Sequence, residues 1–275
     1  MQNSINLTPH LYNYGIDELA YYDQGKGEQT ILLIHGFGED HAIWKNQIEF
    51  LSTHYRVIAP NLPGVHCKPL ALHHSQAPNI RMYVEVLHEL MHHLHIEQYY
   101  IVGHSMGGYI GLSFADYYVN HVQGLLLFHS TTYEDNEAKK TSRMKVAEFI
   151  QEWGVSKYLE TATPNLFGDA FKKTNPGVIQ NVIESGSGIS QEAMIQFVFA
   201  MRNRKAMTHL LQQHTIPVWM IAGEADLAVP IQDSLEQIKL LPSSNSLVLN
   251  NVGHMGMFEA TDQVNEFIHQ CIQSA

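Results

Sequence analysis

A chain of 275 residues with 45% hydrophobic and 16% charged residues has the apolar content for a packed core and too little charge to be disordered. Its formal net charge of −11 offers no basic surplus to release counterions from phosphate, which excludes a general nucleic-acid binder and leaves a small-molecule substrate as the expected partner. The longest apolar runs, such as Thr30–Ile34 and Gly124–Phe128, are far too short to cross a bilayer, so no membrane partner is expected.

The stretch Met1–Asn6 has neither the positive charge nor the apolar core of a secretion signal. Cys67 and Cys271 are the only cysteines and lie far apart, which gives no disulfide framework and makes a cytoplasmic, reduced location the expectation. Eighteen histidines raise the question of a metal. The densest groups, His73-His74 and His92-His93-x-His95, sit in no His-Glu-x-x-His arrangement and beside no Cys-x-x-Cys pair. Neither a metal nor a cofactor is expected, and the second group suits the C-terminal end of a helix, where imidazolium meets the helix dipole favourably.

In chain order, Leu11–Tyr14 and Glu18–Tyr22 flank Gly15-Ile16-Asp17 and read as an antiparallel hairpin. Thr30–Ile34 is a continuous apolar, β-branched run, as in a strand covered on both faces of a parallel sheet. The following His35-Gly36-Phe37-Gly38 allows a tight turn with N–H groups pointing into a crevice, which makes the Phe37 N–H a candidate oxyanion donor. Trp44, Ile48 and Leu51 share a face of a helix over 42–51; Tyr55–Ala59 is the next strand, stopped by Pro60 and Pro63-Gly64. Asn79 can cap a helix carrying the stripe Ile80, Val84, Leu87, Met91 and Leu94.

The run Tyr99–Val102 then passes through Gly103-His104-Ser105-Met106-Gly107 into a helix-compatible run over 109–118. A serine at the apex of such a strand-turn-helix is forced into a strained backbone conformation that needs side-chain-free flanks, supplied by Gly103 and Gly107. The turn lifts the Ser105 hydroxyl to a helix N-terminus, where developing negative charge is favoured. Val122–Phe128 is a further buried strand, and the strand-helix alternation to this point demands parallel β-α-β units.

Alternation breaks between residues 131 and 214, where helix-like stretches over 137–153 and 190–201 are separated by glycines and prolines. That segment reads as a helical insertion. Alternation resumes with Pro217–Ala222, a helix near 231–240, Leu247–Leu249 and a last helix bearing Val264, Phe267, Ile268 and Cys271. The division expected is a core of residues 1–130 and 215–275 with an insertion over 131–214.

A serine hydroxyl needs a base and a group to orient that base. Gly223-Glu224-Ala225-Asp226 and Asn251-Val252-Gly253-His254 each follow a strand, so in a parallel sheet they converge with the 35–38 loop and Ser105 on one edge. The order Ser105, Asp226, His254 resembles that of the α/β-hydrolase family, as do His35–Gly38, the Gly103–Gly108 turn and the two loops just quoted. The resemblance implies an α/β fold with a mostly parallel, doubly wound sheet and an inserted helical cap. It also implies Ser105 as nucleophile, His254 as general base and acid, Asp226 as its orienter, and the Phe37 and Met106 N–H groups as oxyanion hole. The insertion is similar to the family's cap. Many relatives carry Asp-x-Pro-Gly-x-Gly-x-Ser where this chain has Asn61-Leu62-Pro63-Gly64-Val65-His66-Cys67-Lys68, so this loop departs from the pattern.

Glu224 is the alternative acid, though the family's position is Asp226; His35 and His104 read as packing residues beside tight turns. Tyr109, Phe128, His129 and Trp153, together with Phe37, line the substrate pocket or belong to the core. The expected activity is hydrolysis of an ester or related acyl bond through an acyl-enzyme. Cleavage of a carbon–carbon bond or a lyase reaction on the same triad, and a ligand receptor of capped hydrolase fold, are the competing readings. Fold alone does not separate them.

Overall fold

The computed structural model describes residues 8–72, 77–213 and 215–275. Met1–Asn6, the His73-His74 pair and the insertion boundary at His214 lie outside the described residues. One eight-stranded sheet organises the chain, in the order β1-β2-β4-β3-β5-β6-β7-β8. The strands are β1 (His10–Asn13), β2 (Glu18–Gln24), β3 (Thr30–Ile34), β4 (Arg56–Pro60), β5 (Tyr99–His104), β6 (Val122–Phe128), β7 (Val218–Gly223) and β8 (Ser246–Leu249). β1 and β2 pair antiparallel, β2 pairs antiparallel with β4, and every later pairing is parallel. Residues of β3, β5 and β7 are buried throughout, the expected pattern for strands with helices on both faces.

Helices α1 (Lys45–Leu51), α2 (Ile80–His93), α3 (Met106–Tyr117), α9 (Ile231–Ile238), α10 (Gly256–Glu259) and α11 (Thr261–Gln273) accompany the sheet. Trp44, Ile48 and Leu51 are fully buried, although the turn containing Trp44 is a 3₁₀ segment, His41–Trp44, capped by Asp40. The α2 stripe is buried at Ile80, Val84, Leu87 and Met91, and His92 and His93 occupy the helix's last turn. Asn79 does not cap α2 with its side chain. Its backbone is extended at that position, but its Nδ2 donates to the Ala77 carbonyl instead.

Between β6 and β7 the described residues form five α-helices, α4 (Glu137–Ala162), α5 (Asp169–Thr174), α6 (Pro176–Gly186), α7 (Gln191–Arg202) and α8 (His209–Gln213), and a 3₁₀ turn, Thr163–Leu166. The α4 helix continues nine residues past the stretch expected from sequence, broken at Gly154, whose φ of 82° and ψ of 170° only glycine adopts readily. The loop that departs from the family pattern holds this insertion. Val65 forms a bridge with Ile189, Gly64 lies against Ala193, and His66 Nε2 and the Ser185 hydroxyl both engage Asp40 Oδ2.

Candidate active site

At the carboxyl end of β5, Ser105 has φ 51° and ψ −112°, a left-handed conformation that costs a side-chain-bearing residue strain. The surroundings impose it. The Ser105 N–H donates to the Phe128 carbonyl at 2.9 Å, its own carbonyl accepts from the Gly108 N–H at 3.0 Å, and the Ser130 hydroxyl bonds the same carbonyl at 2.8 Å. A Cβ on Gly103 would stand 2.3 Å from the Gly107 carbonyl oxygen, and one on Gly107 would stand 2.2 Å from that of Ile34. Both clashes are with backbone, so neither position accepts a side chain.

Asp226 and His254 follow β7 and β8. Asp226 Oδ2 lies 2.7 Å from His254 Nδ1 and 3.1 Å from His129 Nδ1, while Oδ1 accepts the Ala228 and Val229 N–H groups at 2.8 and 2.9 Å. Burial would raise the carboxyl's pKa, but the His254 charge and these donors outweigh it and hold it far below the ordinary range. With the carboxylate ionised, both Nδ1 atoms carry protons and donate. The neutral His254 ring therefore has a bare Nε2, and that is the nitrogen able to accept a proton. For His254 burial disfavours the charged form, yet the Asp226 charge and hydrogen bond exceed it and the pKa is raised. For His129 burial prevails over the same carboxylate and lowers the pKa to about 4, so this ring is a neutral donor.

The loop after β3 is tied to the same place. Glu39 Oε2 accepts the Gly36 N–H at 2.6 Å and lies 2.9 Å from His104 Nδ1; His104 Nε2 donates to the His254 carbonyl at 2.9 Å. Glu39 and His104 are both buried. One acid–imidazole pair thus fixes the Gly36–Phe37 peptide, the serine turn and the His254 backbone relative to one another. Among the described residues the Phe37 N–H has no hydrogen-bond acceptor, and Met106, first in α3, has no carbonyl one turn earlier to bond. His35 is a structural residue: its Nδ1–H donates to the Gly36 carbonyl and its Nε2 accepts the Leu62 N–H.

Ser105 and His254 open onto a cavity of about 200 Å³, lined also by Phe37, Tyr109 and the α4 residues Lys139, Arg143, Tyr158 and Leu159. A family model described as the alpha/beta hydrolase fold matches residues 29–261. The chain belongs to the α/β-hydrolase fold family. It is similar to a 2-hydroxy-6-oxo-6-(2'-aminophenyl)hexa-2,4-dienoic acid hydrolase of Metapseudomonas resinovorans, 26% identical over 90% of this chain and 84% of that one. It is likewise similar to an (E)-2-((N-methylformamido)methylene)succinate hydrolase of Acinetobacter baylyi, 24% identical over 100% of this chain and 97% of that one. Among solved structures, a thermophilic esterase from Thermogutta terrifontis with malate bound superposes with a TM-score of 0.87 at 26% identity, covering 97% of this chain and 98% of that chain.

Within this α/β-hydrolase the residues suggested for the pocket part company. Phe37 and Tyr109 line the cavity, whereas Phe128, His129 and Trp153 do not. Phe128 is fully buried beneath it, with its ring 5.8 Å from that of Trp44. His129 lies behind Asp226, and Trp153, 59% exposed, points to solvent. Glu224 is exposed, its Oε2 accepting the Asn251 N–H at 3.0 Å, away from His254. His129, Asp226 and His254 are, among the described residues, the one cluster with the spacing of a metal site, and their donor atoms already satisfy each other as a two-to-one hydrogen bond. Sequence alone assigned no role to Glu39 or to the cavity-facing Lys139, and it grouped His129 with the pocket candidates, whereas that ring lies on Asp226. Glu39, in the tight turn after β3, was the one with a local signal.

Proposed function

We propose that the protein is a serine hydrolase cleaving an ester or related acyl bond through Ser105, His254 and Asp226. The observation that carries this reading is the saturation of Asp226 by four N–H donors, which leaves His254 with its free nitrogen in the same cavity as a strained serine. In this mechanism the Ser105 oxygen attacks the carbonyl carbon while His254 Nε2 takes its proton. The Phe37 and Met106 N–H groups hold the resulting oxyanion, and the His254 imidazolium returns the proton to the leaving oxygen. A water deprotonated by the same nitrogen then attacks the acyl-enzyme and frees Ser105.

Helices α4 to α8, within residues 131–214, act as a cap that sets the acyl group admitted. The cavity is below the roughly 300–1,000 Å³ usual for drug-sized ligands, which favours a small acyl group. The substrate is a small molecule and the location cytoplasmic in this reading; among the described residues no helix is long and apolar enough to cross a membrane.

Carbon–carbon bond hydrolysis is the second reading, favoured by the similarity to the dienoic acid hydrolase of Metapseudomonas resinovorans. Initial rates on 4-nitrophenyl esters of increasing acyl length, set beside a diketone panel, test both. Short esters should turn over many times per chain and diketones should not. The opposite ranking would favour carbon–carbon cleavage, and release of a single equivalent would support the receptor.

A further inference from the structure

The cavity is not uniform in charge. Lys139, Ser142, Arg143 and Val146 fall at i, i+3, i+4 and i+7 of α4, so they share one face, and all four line the cavity. Beyond the Gly154 break, the wall continues with Tyr158, Leu159 and Ala162 and carries no charge. One end of the cavity is therefore cationic and the other apolar.

The cations at that end are not used up by protein partners. Lys139 Nζ donates to the Ala228 carbonyl at 3.4 Å, and among the described residues it forms no ion pair. Arg143 commits its Nε to Asp135 Oδ2 at 3.0 Å, and the other Asp135 oxygen is held by Arg204 at 2.8 Å. One buried carboxylate between two guanidinium groups leaves a surplus positive charge, and Lys139 adds a second. Of the other acids near the cavity, Glu39 is bonded to His104, and Asp226 keeps its charge but spends its oxygens on four N–H donors; among the described residues neither forms an ion pair with Lys139 or Arg143. A half-buried cation without a counterion is costly, and this one persists in a chain of net charge −11.

We propose that the Lys139–Arg143 end is an anion subsite, and that the substrate is an acyl compound bearing its own carboxylate, such as a monoester of a short dicarboxylic acid. The carboxylate pairs with Lys139 Nζ and the uncommitted Nη atoms of Arg143, while the scissile carbonyl lies at Ser105. The inference rests on the acyl-hydrolase reading above. Lys139, Arg143, Ser105 and His254 line one cavity of about 200 Å³, so a single small molecule can reach from the cations to the serine.

The test compares 4-nitrophenyl hydrogen succinate with its methyl-capped diester at low salt, at a pH where His254 is neutral. The wild-type protein should prefer the anionic ester by about tenfold or more in kcat/KM, with added salt eroding the preference. Lys139→Met should collapse that ratio and Lys139→Arg should restore most of it. A ratio near one in the wild type, or a loss in Lys139→Met equal for both esters, overturns the subsite. Failure of the hydrolase reading appears differently, as no Ser105-dependent turnover of the neutral diester. A binding arm needs no turnover: in Ser105→Ala, monomethyl succinate should raise the melting temperature where dimethyl succinate does not, and Lys139→Met in the same background should abolish the rise. Equal effects of the two succinates would also overturn it.

Discussion

At the scale of single residues, Asp226 and Glu224 compete for the same role from positions two residues apart. Asp226→Asn should cut kcat on a short ester by roughly the 10⁴-fold seen when a triad acid loses its charge, because the amide has one acceptor oxygen and a donor NH2 where four N–H donors now meet two carboxylate oxygens. Glu224→Gln, at an exposed carboxylate bonded to Asn251, should leave kcat near the wild-type value; the reverse ranking in steady-state assays would reassign the acid. The pH profile follows from His254. Its folded pKa is raised, so activity, which needs the neutral ring, should rise along a single-proton limb centred above the ordinary imidazole value near 6.5 and then level off. The stabilisation from the His254–Asp226 pair runs the other way: it is fully present below the unfolded pKa and is lost as pH rises through the folded one. A limb centred below pH 6 in a protein still folded by circular dichroism would contradict this. The bond of His129 to Asp226 and the place of Lys139 on the cavity were not legible in sequence, because each depends on which distant segments the packed fold brings together.

Among the elements, the strand-turn-helix at β5 and α3 was legible because its chemistry is local. Glycines at 103 and 107 announce a backbone approach that the structure supplies as the carbonyls of Gly107 and Ile34. Gly107→Ala should therefore destabilise by roughly 1–3 kcal/mol, as overpacking against fixed backbone does. Gly177→Ala is the control, since nothing lies within 4 Å of a Cβ there; urea midpoints compare the two, and equal midpoints would mean that the turn yields. The core strands were equally legible, because burial on both faces writes a continuous apolar run. Helix ends were less so. The reach of α4 past Gly154 and the uncapped Asn79 depend on what those residues pack against, which local propensity does not encode. Trp153 illustrates the cost: an aromatic in the 131–214 segment read as pocket wall or core, and it faces water.

The whole molecule couples the insertion to the core more tightly than a hinged lid. Phe197 of α7 is fully buried with its ring 5.2 Å from that of Tyr83 on α2, Val65 of the 61–68 loop bridges to Ile189 of the insertion, and Asp40, bonded to His66 of that loop, accepts from the insertion's Ser185. Phe197→Ala should cost about 3–5 kcal/mol while thermal unfolding remains one cooperative transition; two separated transitions by calorimetry would show that the insertion unfolds on its own. The central claim is that Ser105 is the nucleophile of an acyl-transfer site. Its most direct test is intact and peptide mass spectrometry after reaction with a small fluorophosphonate, read beside residual esterase activity. One adduct per chain is expected, on Ser105, with activity lost in proportion and no adduct in Ser105→Ala; an adduct at another residue, or full activity in a protein labelled at Ser105, would contradict that assignment.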